Sequence, residues 1–200
     1  MSHFIDKIFY INLDRRTDRL EEIQEELQKL DLTAERFRAI QHEEGLVGCG
    51  YSHLHIMKIA KERGYKNVLI LEDDFSFKVS KDEFENLLEQ FFTKVQDNYD
   101  VCMFSYGEEI TETNNDLPFL VNIKSACDAS AYIINGSYLD KLIELYEVNI
   151  PLLEQTRMHW VYANDQVWKR LQAKDKWFGF APRLGSQRPG YSDNRGRYCN

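Results

Sequence analysis

The residues best suited to chemistry in this 200-residue chain are three adjacent acids, Glu72-Asp73-Asp74, which end the apolar run Asn67-Val68-Leu69-Ile70-Leu71. Neighbouring carboxylates repel one another and raise each other's pKa unless a cation or strong hydrogen-bond donors offset the charge. A hard divalent ion with oxygen ligands, Mn²⁺ or Mg²⁺, bridging to a diphosphate, accounts for such a cluster economically. The plainer reading is that the acids cap the helix or turn that follows. With a strand period of two, Glu72 and Asp74 share one face and Asp73 takes the other.

Arginines are the second resource. Arg15, Arg16 and Arg19 lie near the start of the chain, and Arg183, Arg188, Arg195 and Arg197 near its end, where Asp193 is the one acid beyond Pro182. A guanidinium suits phosphate because its planar fork gives two parallel, charge-assisted hydrogen bonds. If the two ends meet in space, they form an anion site on an acidic protein. Taken singly, each is an ordinary surface arginine.

The hydrophobic pattern supplies the elements that carry these groups. Lys7 to Leu13 is a β-branched and aromatic strand stopping at Asp14. Leu20, Ile23, Leu27 and Leu30, three and four apart, make an amphipathic helix starting between Asp14 and Thr17. A short strand over 34–39 precedes a loop with Gly45, Gly48 and Gly50, then a helix capped by Ser52 and closed by Gly64. The run Asn67 to Leu71 reads as a central parallel strand covered on both faces.

Ser80-Lys81-Asp82-Glu83 is a capping-box pattern ahead of a helix that turns Phe84, Leu87, Leu88, Phe91 and Val95 inward. A strand over 99–105, a surface loop over 107–116, strands over 118–123 and 129–134 and a helix over 137–146 follow. Beyond Glu147 the pattern weakens to a short helix over 165–171, a short strand over 177–181 and a loop-like tail. The alternation predicts an α/β fold, a single domain over 1–200 with a mixed, mainly parallel sheet flanked by helices. Ligands in such sheets bind beyond the carboxyl ends of the strands, which is where Asn12-Leu13-Asp14-Arg15-Arg16 and the acidic triplet fall.

Composition excludes several classes. A net charge of -8 argues against broad nucleic-acid binding, which needs a positive field. No stretch approaches the roughly 20 apolar residues that span a bilayer, and the first residues lack the basic-then-apolar pattern of a secretory signal, so a cytoplasmic location is expected. The cysteines Cys49, Cys102, Cys127 and Cys199 form no CxxC pair, which argues against a zinc site or a disulfide framework. Cys49 reads as a small packed side chain with no activating partner.

Several blocks, in order, resemble glycosyltransferase family 25, which includes bacterial lipopolysaccharide sugar transferases and collagen galactosyltransferases. They are Ile11-Asn12-Leu13-Asp14-Arg15-Arg16-Thr17-Asp18-Arg19, Gly48-Cys49-Gly50-Tyr51-Ser52-His53 and Leu69-Ile70-Leu71-Glu72-Asp73-Asp74. Weaker echoes occur at Ala131-Tyr132-Ile133-Ile134, at Asp165, and at Gln187 with Tyr191-Ser192-Asp193. The resemblance implies a GT-A type, Rossmann-like fold, with a nucleotide-sugar half over about 1–110 and an acceptor side over about 111–200. It also implies an inverting reaction and a donor that is commonly UDP-galactose or UDP-glucose.

In such enzymes the acidic triplet stands for the DxD motif that holds a metal on the donor diphosphate. Asp74 and Glu72 are then the expected ligands, with Asp193 as a further candidate, and Asp73 faces the donor ribose or sugar; the two assignments are exchangeable. Asn12, Asp14, Arg15 and Arg19 suit the nucleotide, since Asn12 can read a base or ribose edge and the arginines reach phosphate from the first helical turn. Helix capping and i,i+4 pairing are their structural alternative. Ser52 and His53 are expected near the donor pocket, without a proton-transfer role for His53. Gln187 and Ser192 sit in a segment that could close over the donor.

Inversion requires a base opposite the leaving diphosphate to take the acceptor hydroxyl proton. Asp165 is the first candidate, with helix N-capping as its other reading, and Asp128 is the second. Trp160, Tyr162, Trp168, Trp177 and Phe178 offer aromatic faces for an acceptor sugar, or else core packing. The expected partners are a UDP-sugar and a glycan or protein acceptor. Two other classes remain open: a catalytically degenerate sugar-nucleotide-binding protein, and a metal-dependent nucleotidyl or phosphoryl transferase using the same acids and arginines.

Overall fold

The structure, a computed structural model, describes residues 4–192 and 197–199. The elements run β1 (Lys7–Asn12), α1 (Thr17–Lys29), β2 (Glu35–Arg38), α2 (Gly45–Glu62), β3 (Asn67–Glu72), β4 (Phe75–Phe77) and α3 (Lys81–Lys94). They continue with β5 (Val101–Met103), β6 (Gly107–Thr113), β7 (Leu120–Cys127), β8 (Ala131–Asn135), a 3-10 turn over Gly136–Tyr138 and α4 (Leu139–Thr156). The short helices α5 (His159–Tyr162), α6 (Asn164–Val167) and α7 (Lys169–Gln172) lead to β9 (Trp177–Phe180), β10 (Gly185–Gln187), β11 (Gly190–Ser192) and β12 (Arg197–Cys199).

Eight strands form one mixed sheet in the order β2-β1-β3-β8-β5-β9-β7-β6. The pairs β2/β1, β1/β3 and β5/β9 are parallel, while β8 and β7 run against their neighbours. The mixed sheet with flanking helices is the α/β architecture expected of the pattern. Strands from beyond residue 110 are interleaved with earlier ones, β8 between β3 and β5, and β9 between β5 and β7.

Burial on both faces of the sheet explains why β3 is apolar at its four inner positions, Val68 to Leu71. Val68 and Ile70 join the core under α2 and α4, with Leu54, Met57, Leu142 and Tyr146. Leu69 and Leu71 join the opposite core under α1 and α3, with Ile23, Leu27, Phe84 and Phe91. All four are fully buried, each stabilising the fold by about 1.5–3 kcal/mol relative to exposure. Ser80 caps α3 as its sequence predicts, accepting from the Glu83 amide at 3.3 Å, and Gly64 at φ 67 closes α2.

Four expectations about elements are corrected. The glycine segment is the first two turns of α2 rather than a loop. Gly48 is needed because a Cβ there would lie 2.4 Å from the Ile40 carbonyl, so α2 presses directly on the chain leaving β2. Ser52 is therefore mid-helix and not a cap; its hydroxyl donates to Gly48 O (2.7 Å) and accepts from the Ile40 amide (2.8 Å). The stretch over 107–113 is an edge strand with register shifts, and its polar, exposed character conceals its pairing with β7. Helix α4 runs ten residues past the expected 146, through Pro151, because Leu142, Tyr146, Ile150 and Leu153 keep one face buried across the proline.

Candidate active site

The site forms where β1 and β3, parallel neighbours, release the chain at their carboxyl ends. Strand geometry ends at Glu72, and Asp73 and Asp74 lie in the turn before β4. The expected facing of the three acids is thereby overturned. Asp73 and Asp74 converge on one cation, and Glu72 turns the other way, toward α2.

That cation is Arg19, from the first turn of α1. Its Nη1 donates to Asp73 Oδ1 at 3.0 Å and Asp74 Oδ2 at 3.1 Å, and its Nη2 donates to the Tyr191 carbonyl at 2.8 Å. Arg16 Nη1 also donates to the Tyr191 carbonyl, at 3.2 Å, while its guanidinium is paired with Asp18. The two ends of the chain therefore do meet at the site. Arg188 and Arg183 turn elsewhere, Arg188 to Glu22 and Glu26 on α1 and Arg183 to Glu109. Asp193 and Arg195 lie outside the described residues, as do the side chains of Ser192 and Arg197.

Asn12 is the organiser behind the acids. Its amide donates to Asp73 Oδ2 at 2.7 Å and to Arg16 O at 3.0 Å, and its oxygen accepts from Arg36 Nη2 at 2.7 Å. Arg36 also binds Asp14, at 2.9 Å. Arg36 is a site neighbour that the sequence signals only as a basic residue on β2, the strand adjoining the first block.

Electrostatics separate the three acids. Burial raises Glu72, but His53, Cys49 and Arg19 outweigh it and hold its carboxyl below the ordinary range. Asp73 is raised by burial, which Arg19 and Asn12 offset only in part. Asp74 is pushed up to about 7, first by burial and then by the charge of Glu72. Among the described residues its Oδ1 is buried without a hydrogen-bond partner. An unpartnered carboxylate oxygen on a group that resists carrying its charge unaided is what a hard cation would satisfy, so the donor set fits Mn²⁺ or Mg²⁺.

The two candidate bases are neighbours of one another, and Asp128 is close enough for its charge to act on Asp74. Asp128, at φ 83, accepts from the Ser105 hydroxyl and from the Ser130 amide (2.8 Å), and burial raises its carboxyl, with Glu72 adding to the rise. Asp165 Oδ2 accepts from the Asp128 amide at 3.2 Å, so the two are neighbours. The cap of α6 is Ala163, and Asp165 lies inside that short helix instead of capping it.

Asn12, Arg15, Arg19, Glu72, Asp73, Asp74 and Gln187 line one cleft together with Cys49 and the 39–42 segment. Gln187 is brought there by β10, which pairs with β4, and the Arg188 amide donates to the Asp74 carbonyl at 2.7 Å. Ser52 and His53 lie fully buried beneath the cleft, and Asp14 is exposed at its edge. Trp168 and Trp177 pack edge to face in the core, whereas Trp160 is exposed.

Residues 43–160, more than half of the chain, match the family described as glycosyltransferase family 25 (LPS biosynthesis protein). The chain belongs to glycosyltransferase family 25. A Drosophila melanogaster protein named glycosyltransferase 25 family member is 30% identical over 101 residues, covering 36% of this chain and 16% of its own length. The chain thus spans a small part of that relative.

The crystal structure of A197 from STIV is similar at a TM-score of 0.52 and 15% identity, over 87% of this chain and 81% of that one, a likeness of fold alone. A glycosyltransferase involved in glycosylation of the major capsid of PBCV-1 is similar at a TM-score of 0.45 and 11% identity, over 87% of this chain and 91% of that one. The architecture of this family 25 chain is GT-A-like, and among the described residues no helix is long and apolar enough to cross a membrane.

Proposed function

We propose that this chain is an inverting glycosyltransferase that moves a hexose, galactose or glucose, from a UDP-sugar to a hydroxyl of a glycan or protein acceptor, with Mn²⁺ or Mg²⁺ on the donor diphosphate. The observation that carries the reading is Asp74 at the strand-end cleft, with one oxygen on Arg19 and the other buried and, among the described residues, unpartnered. Asp74 would hold the ion through its second oxygen, with Asp193 as a further ligand, and Glu72, the other ligand expected from the sequence, would share it by turning from His53 toward Asp74. The ion supplies Lewis-acid neutralisation of the departing diphosphate.

The chain's own residues do the rest. Arg15, Arg19 and Gln187 line the cleft and bind the donor, with Arg19 adding charge to the diphosphate. Asn12 fixes Asp73 against the sugar side. Asp14, Ser52, His53 and Ser192 support the donor from the edge, the floor and the C-terminal segment. Asp165 takes the proton of the acceptor hydroxyl as its oxygen bonds to the anomeric carbon and the bond to UDP breaks, with Asp128 as the second candidate.

The test is UDP release by the purified chain with Mn²⁺ across a panel of nucleotide sugars, in wild type and Asp74→Asn. The variant is expected to keep a cooperative thermal transition and to lose turnover. Undiminished turnover in Asp74→Asn would overturn the metal assignment, and pyrophosphate or phosphate release from a nucleoside triphosphate without sugar dependence would favour phosphoryl or nucleotidyl transfer.

A further inference from the structure

Cys49 and His53 lie one turn apart on α2, at the i,i+4 spacing that puts two side chains on one helix face. Both reach Glu72 at the end of β3. Cys49 Sγ lies 3.4 Å from Glu72 Oε1, His53 Nε2 lies 3.1 Å from the same oxygen, and the three ligand atoms are all within 4.8 Å of one another. We propose that these residues form a binding site for a thiophilic divalent cation of the zinc class, on the floor of the cleft and distinct in chemistry from the oxygen ligands at Asp74.

Geometry is the first argument. In a tetrahedral zinc site, Zn–S of about 2.3 Å and Zn–N or Zn–O of about 2.0–2.2 Å put neighbouring ligand atoms roughly 3.3–3.6 Å apart. The separations of 3.4 and 3.1 Å are within a few tenths of an ångström of that edge length, and Cys49 Sγ and His53 Nε2 are within 4.8 Å of each other. A nitrogen, a sulfur and an oxygen from three side chains also leave one coordination position for water or a substrate oxygen, as in catalytic zinc sites.

Charge and support are the second. Thiolate and carboxylate together neutralise a dication, so the filled site carries no net charge into a buried pocket. His53 Nδ1 lies 2.7 Å from the Tyr132 hydroxyl, and Asn164 Nδ2 lies 3.3 Å from Cys49 Sγ. Metal-bound histidines pass their second ring nitrogen to such a partner, which fixes the tautomer that presents Nε2. On binding, the Cys49 thiol proton is released to solvent and the His53 ring proton resides on Nδ1, donated to the Tyr132 oxygen. Cys49 and Glu72 both line the cleft, which provides the path of entry.

The scattered cysteines hid this arrangement, because its ligands pair through a helix turn and a strand end rather than through a CxxC loop. An ion here also competes with the donor metal for Glu72, so zinc occupancy would oppose the transfer proposed above.

The test titrates the full chain, reduced and free of nucleotide sugar, with Co²⁺. One equivalent is expected to give the near-ultraviolet thiolate-to-cobalt charge-transfer band, which Zn²⁺ then bleaches. Cys49→Ser and Glu72→Gln lose tight binding and Cys49→Ser loses the band, each checked for a cooperative thermal transition. Tyr132→Phe keeps the band and weakens cobalt binding roughly 10–100-fold. Asp74→Asn keeps both, which separates this site from the donor metal. Absence of the band in wild type, its persistence in Cys49→Ser, or its loss in a folded Asp74→Asn would overturn the proposal.

Discussion

Arg19 Nη1 stands 3.1 Å from Asp74 Oδ2, on the acid of the triplet whose second oxygen is buried without a partner among the described residues. The same nitrogen serves Asp73, so a single positive charge steadies two carboxylates at the mouth of the cleft. Replacing it with Met removes the charge and leaves both acids uncompensated. Because the site is only partly exposed, Arg19→Met is expected to destabilise the fold by about 2–4 kcal/mol near neutral pH. Urea midpoints measure the loss, and added Mn²⁺ should recover more of it in the variant than it adds to wild type.

Asp165 lies against the Asp128 amide, close to the acids but outside the Arg19 network. Asp165→Asn is expected to lower kcat by roughly 10²–10⁴-fold while leaving UDP-sugar affinity nearly unchanged. Single-turnover rates and calorimetric donor affinity separate the two effects. If Asp128→Asn shows the larger loss in kcat, the base is Asp128.

Glu26 offers a stability test away from the site. It is buried, which raises its carboxyl, but the Lys29 ammonium, the Phe77 amide and the Arg188 guanidinium outweigh burial and hold it below the ordinary glutamate value. A depressed folded pKa contributes stability that is complete above the unfolded value near about 4.3 and is lost as pH falls through the folded value. Urea midpoints of wild type should therefore fall on acidification below about pH 5, and Glu26→Gln should flatten that fall.

Gly48 and Gly107 test whether glycine in α2 is a packing requirement. A Cβ on Gly48 meets the Ile40 carbonyl at 2.4 Å, whereas one on Gly107 meets nothing within 4 Å. Gly48→Ala is expected to cost about 1–3 kcal/mol and Gly107→Ala almost nothing, read from thermal or urea unfolding.

Much of this was legible in the residues themselves. The uninterrupted apolar run of β3 announces a strand with cores on both sides, and the Ser80 pattern announces a helix start; both rest on local chemistry. The acids ending β3 line the candidate cleft, as their place at a strand end predicts. What was not legible depended on contacts distant in sequence. Glycine looks like a loop until one sees Ile40 against Gly48, and with α2 started at Ser52, Cys49 fell outside the helix and its spacing to His53 carried no meaning. Pro151 hid the second half of α4 because propensity argues against it while burial of Ile150 and Leu153 argues for it more strongly. Glu72, still in β3, keeps the face of Val68 and Ile70 toward α2, whereas the direction of Asp74 is set by a turn that strand periodicity cannot describe.

The placement of β9 between β5 and β7 bears on how the molecule comes into being. A ribosome that has made everything through residue 160, the whole of the family-matching segment, has not yet made the strand that joins the β7-β6 hairpin to the rest of the sheet. Until Trp177 to Phe180 emerge, β5 offers an open edge and the hairpin has nothing to dock on. Completion of the sheet is thus a late, long-range event in synthesis, and a fragment trimmed to the recognisable family region should be prone to edge-to-edge association rather than behave as a minimal enzyme.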